Sequence, residues 1–99
     1  MTRPSPQHEE SARERANDTI RPLVALLHRH AGNLGRDADA ARVRTSVGAL
    51  LRAVDRGEDV HAQARTVQAH LGRLDPGSVT SLMRRTMRSL QAELGLVRR

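Results

Sequence analysis

Apolar residues recur along most of this chain at helical spacing, and no segment shows the alternation of a half-buried strand. The clearest case lies in residues 75–99. There Val79, Leu82, Met83, Met87, Leu90, Leu94 and Val97 form one stripe, which predicts a long amphipathic helix. At about 100° per residue, Arg84, Arg85, Arg88 and Arg99 fall on its opposite side, with Glu93 near the edge. Upstream, Val60, Ala64, Val67, Leu71 and Leu74 repeat at 4, 3, 4, 3, a heptad-like seam. Ala40, Val43, Val47, Leu50, Leu51 and Val54 make a third stripe, backed by Arg42, Arg52 and Arg56. Ile20, Leu23, Val24, Leu27 and Ala31 make a fourth.

Punctuation residues set the boundaries. Residues 1–5 read as a flexible tail. Ser5 before Pro6, with Glu9 and Glu10 close behind, has the form of a helix start. The segment 6–17 is nearly all polar, with only Ala12 and Ala16 in phase with Ile20, so it reads as an exposed helix or as an arm. Asp18 or Thr19 can cap a helix over 20–30, and Pro22 predicts a kink or junction at Arg21. Gly32, Asn33 and Gly35 end that helix. Asp37 opens the next one, which runs to Arg56 and is closed by Gly57. Glu58 or Asp59 starts a further helix. Asp75-Pro76-Gly77 then turns into the last, with Ser78 or Asp75 as its cap. The predicted architecture is all-α: a single helical domain over 6–99, a compact antiparallel bundle of four helices plus the N-terminal segment. Short connections favour antiparallel neighbours.

Composition sharpens this. There is no Phe, Tyr or Trp, so the core must be built from Leu, Val, Ile, Met and Ala. Ninety-nine residues is near the lower end for a self-sufficient core, and burial against a second copy or a partner would widen the margin. Homo-oligomerisation or a protein partner is therefore expected. All 17 basic residues are Arg, a usage that a GC-rich genome would account for, and the net charge of +6 favours acidic partners. The guanidinium fork also suits phosphate and carboxylate. The absence of Cys fits a cytoplasmic setting. No signal-like segment and no apolar run of membrane-spanning length occurs, so no membrane role is expected.

Candidate chemistry is sparse. His28 and His30 point about 200° apart on a helix, and His61 and His70 lie on opposite flanks of theirs, so no pair is set for one metal ion. Arg3–His8, Arg21–His28, Arg56–His61 and Arg65–His70 meet the R-x4–6-H spacing of HEPN-type ribonucleases. An Arg- and His-rich chain gives about two or three such matches by chance. Most carboxylates (Glu9, Glu10, Asp37, Asp39, Glu58, Asp59) sit at helix starts, where capping and the helix dipole explain them. Gly32-Asn33-Leu34-Gly35 lacks the preceding strand of a nucleotide-binding fingerprint. No enzyme activity, cofactor, metal or small-molecule substrate is expected.

One resemblance bears on function. From Val47 the order is helix, Gly57, helix, Leu71-Gly72, a turn with Asp75-Pro76, then a helix beginning Ser78-Val79-Thr80-Ser81. This resembles the helix-turn-helix of MarR-type winged-helix repressors, and Gly95-Leu96-Val97-Arg98-Arg99 resembles the step into their wing. The resemblance covers about half of the chain and implies DNA binding, with Ser78, Thr80, Ser81, Arg84 and Arg85 facing the groove. Three features depart from it: Arg73 adds a residue to the turn, the last helix is about five residues longer before Gly95, and the sequence stops where a wing would begin. The leading expectation is a small, basic, non-catalytic helical interaction module (an adaptor, small subunit or regulator) that self-associates or docks on a protein. The alternative is a nucleic-acid-binding protein with a helix-turn-helix-like segment at 60–90. Its candidate face is Ser78, Thr80, Ser81, Arg84, Arg85 and Arg88.

Overall fold

In the computed structural model, backbone is described over residues 6–95 and side chains over 17–95. The chain there is all-helical: α1 (Pro6–Ala31), α2 (Ala38–Asp55), α3 (His61–Leu71) and α4 (Ser78–Leu94). Each helix packs on two neighbours, in the cyclic order α1, α2, α3, α4, and the backbones of the diagonal pairs stay apart. Arg21 near the middle of α1 meets Asp55 at the end of α2, while Arg44 near the start of α2 donates to the Gly35 carbonyl just past α1. α1 and α2 are therefore antiparallel. The short turn 56–60 folds α3 back along α2. The His61 Nε2 contact with the Leu94 carbonyl, 3.1 Å, brings the start of α3 to the end of α4. The result is an up-down-up-down bundle.

The core is wholly aliphatic. Ile20, Val24 and Leu27 of α1, Val43, Val47, Leu50 and Val54 of α2, Ala64, Val67 and Leu71 of α3, and Met83, Met87 and Leu90 of α4 meet at its centre. Each large side chain buried here contributes about 1.5–3 kcal/mol. Asp37 caps α2 as expected, its Oδ1 accepting from Ala40 N at 2.8 Å. Gly57 closes the α2–α3 turn at φ +67 and Gly95 ends α4 at φ +70, a left-handed geometry that glycine adopts without penalty.

Four expectations change. First, the N-terminal segment and the helix expected over 20–30 are one uninterrupted helix through Pro22. A proline inside a helix costs about 3 kcal/mol, but Asn17, Ile20, Val24, Leu27 and Ala31 keep one phase across it and are all buried. Second, Asn17 extends that stripe as a buried polar residue, 4% exposed, whose Nδ2 donates to the Glu58 carbonyl at 3.2 Å. Third, α3 begins at His61, after the expected start at Glu58 or Asp59, and Asp59 Oδ1 accepts from His61 N in the turn before it. Fourth, neither Ser78 nor Asp75 caps α4; Gly77 holds the cap position with no side chain to offer. Val97 and Arg99 of the expected stripe and face lie outside the described residues.

Candidate interaction sites

Helix α4 presents the basic face anticipated from the sequence, with one change of membership. Ser78, Ser81, Arg84, Arg85 and Arg88 are exposed. Thr80 is 5% exposed and sits in the core side of the helix, its hydroxyl donating to the Asp75 carbonyl at 3.1 Å. Leu82, expected in the stripe, is instead 43% exposed. The two have exchanged places because a threonine whose hydroxyl is satisfied by backbone can bury its methyl group at little cost. Thr86 does the same through the Leu82 carbonyl. Arg84 leans toward the α3–α4 turn, donating to the Leu74 carbonyl at 3.5 Å. Arg85 and Arg88 carry no ion pair among the described residues, whereas Arg21, Arg42 and Arg56 each pair with a carboxylate.

α3 and α4 are joined at one end by the turn 72–77, and at the other the His61 side chain reaches the Leu94 carbonyl. His61 is the clasp: Nδ1 meets Asp59 Oδ1 at 2.5 Å while Nε2 meets the Leu94 carbonyl. Hydrogen bonding to Asp59 holds its pKa above the ordinary imidazole value, with smaller opposition from desolvation and from the Arg65 charge.

A second surface lies across the bundle, between α2 and α3. Ala41, Arg42, Thr45, Ser46 and Ala49 of α2, with Thr66 and His70 of α3, line an open groove of about 390 Å³. A smaller hollow of about 170 Å³ continues it along Ser46, Ala49, Ala62, Gln63 and Thr66. The floor is small by composition: where two helices face each other with Ala, Ser and Thr, their side chains do not fill the space between the ridges. Ser46 is turned back onto its own helix, its hydroxyl donating to the Val43 carbonyl, and Thr66 likewise to Ala62. The groove therefore offers mainly methyl and methylene surface. Gln63 Oε1 and His70 Nδ1, on two of its lining side chains, are buried without a hydrogen-bond partner among the described residues.

A third hollow, about 260 Å³, lies between Asn17, Asp18, Arg21, Val54, Asp55, Arg56 and Gly57. Its charges satisfy one another, Arg21 bridging Asp18 and Asp55, so it reads as a structural junction. No cluster of three or more metal-ligating side chains occurs among the described residues, and no helix there is long and apolar enough to cross a membrane. The basic face was legible from helical periodicity. The groove was missed because Ala, Ser and Thr give no periodic signal. Its one trace is the run of small residues Ala41, Thr45 and Ala49 at four-residue spacing opposite Ala62, Thr66 and His70. Comparison with protein-family models, with curated proteins and with solved structures finds no match for this chain.

Proposed function

We propose that this chain is a non-catalytic helical interaction module whose docking surface is the α2–α3 groove. The observation that carries the reading is a solvent-open, apolar groove on a bundle whose own core is complete without it. Grooves of this kind accept an amphipathic helix, whose side chains supply the volume that the small residues leave empty. The test is affinity purification from source cells with three forms of the protein: wild type, Ala49→Trp, and Arg85→Glu with Arg88→Glu. A protein retained by the wild type and the arginine variant but lost from Ala49→Trp, and rebinding when purified, supports the reading. Loss only from the arginine variant contradicts it.

The second reading, nucleic-acid binding, rests on Arg85 and Arg88, exposed on α4 and free of ion pairs among the described residues. It requires duplex binding that survives about 200 mM salt and is abolished by the arginine variant, since a +6 protein binds any polyanion at low salt.

A further inference from the structure

Helix α4 ends differently from the other three. The last turn of α1 carries His28, Arg29 and His30, that of α2 carries Arg52 and that of α3 carries His70, whereas the last turn of α4 has no basic residue. A helix C-terminus holds partial negative charge and carbonyls without intrahelical donors. On α4 one of these, the Leu94 carbonyl, is met from outside by Nε2 of His61 at 3.1 Å. The other ring nitrogen, Nδ1, faces Asp59 Oδ1 at 2.5 Å. A carboxylate and a carbonyl only accept, so both contacts are hydrogen bonds only while the ring carries two N–H protons. A neutral ring has one proton to give. It stays with the carboxylate, the nearer and stronger acceptor, and Nε2 then turns a lone pair toward the Leu94 carbonyl.

We propose that His61 is a proton-operated lock on the last turn of α4, closed while the ring carries both protons and opened when it loses one. The moving part is the end of α4, because the other side is pinned. Asn17 Nδ2 donates to the Glu58 carbonyl at 3.2 Å, Glu58 N to the Ala53 carbonyl at 3.0 Å and Ala64 N to the Val60 carbonyl at 2.9 Å. Two charged groups bear on the ring: Asp59 holds the second proton on, and Arg65, one turn along α3, works against it. From α4 it faces the neutral Leu94 carbonyl, beside the exposed Glu93, and among the described residues α1 and α2 set no charge against it. Asp59 outweighs Arg65 and desolvation, so opening comes as pH rises above the ordinary imidazole value. A helix end opens at almost no cost in free energy, so a contact too weak to set global stability can set the state of this turn. Opening uncovers Leu94, which packs on the core.

The test is an NMR titration of the isotope-labelled full chain from about pH 5 to pH 9, read at the ring nitrogens of His61 and at the carbonyl and Cα carbons of residues 91–94. Both ring nitrogens should be protonated at the acid end. As Nε2 loses its proton, the Leu94 carbonyl shift and the helical Cα displacements of residues 91–94 should fall with the same midpoint, above about pH 6.5. His61→Gln should abolish the response at the end of α4. Asp59→Asn, which keeps an oxygen for His61 N, should move the ring and Leu94 midpoints down together. His28, His30 and His70 serve as internal controls, and their titration should leave Leu94 unmoved. The lock is overturned if Leu94 shows no response in the wild type, follows another histidine, or keeps its response in His61→Gln. Should His61→Gln fail to fold, Asp59→Asn decides: a ring midpoint that shifts without Leu94 also overturns the proposal.

Discussion

The outer surface of α4 and the outer surface of the α2–α3 pair both carry arginine, but they are made of opposite materials. On α4 Arg84, Arg85 and Arg88 stand exposed on a single helix, beside the exposed Ser78, Ser81 and Ser89. On α2–α3 the one arginine that lines the groove, Arg42, is paired with Asp39, and the floor is Ala, Ser and Thr. A patch of charge attracts polyanions at long range and discriminates poorly among them. A groove adds shape, and shape separates one partner from another. The two surfaces differ in form before they differ in charge.

The first way to break the comparison is to collapse the scaffold beneath the groove without touching its rim. Leu50 is fully buried and next in sequence to Ala49. Leu50→Ala is expected to cost about 2–5 kcal/mol by urea denaturation. Ala49→Trp, one position away in the open groove, should change stability by about 1 kcal/mol or less. It also gives a chain without aromatics a single fluorophore that reports groove occupancy. An equal loss for both would mean that the groove is ordinary core.

Next in size is Asn17. Asn17→Ala removes the donor to the Glu58 carbonyl and should cost about 1–3 kcal/mol, since that carbonyl loses its protein partner. Partner binding at saturating folded protein should be unchanged, because Asn17 touches neither surface.

Charge reversal sharpens the contrast further. Arg85→Glu with Arg88→Glu is expected to leave stability within about 0.5 kcal/mol. In anisotropy titrations of a random duplex it should lower the salt slope by about 2. Ala49→Trp, in the groove, should leave that slope unchanged. If it weakens duplex binding as much as the arginine variant does, the protein has no distinct surfaces.

The smallest effect is that of His61. Its proton is held more tightly in the fold than in the unfolded chain, so its stabilisation is fully present below about pH 6.5 and fades as pH rises through the higher folded value. The side chain is nearly half exposed, so screening keeps the effect well below about 1 kcal/mol. Urea midpoints at pH 6 and pH 8 should differ more for the wild type than for His61→Gln. No difference between the two proteins would remove the clasp from the account.

Much of the fold was legible from the sequence because apolar spacing and punctuation agree. Asp37, Gly57 and the stripes of α2 and α3 read directly. The failures have physical causes. Pro22 suggested a junction, and tertiary packing of Ile20 and Val24 overrode it. Asn17 looked like the end of a polar arm because an amide gives no apolar signal, yet its spacing from Ile20 matches the stripe. Thr80 and Leu82 exchanged roles because hydroxyl satisfaction by Asp75 is a three-dimensional fact. The groove was invisible for a similar reason: it is space between two helices, and one helix's periodicity does not encode what its neighbour leaves empty.

The most direct test of the central claim is photocrosslinking in source cells, with a small alkyl-diazirine amino acid placed singly at Ala49 or at Arg85. The groove account predicts a discrete protein adduct from position 49 that is absent from position 85. Adducts from position 85 alone, with nucleic acid or with protein, would contradict it.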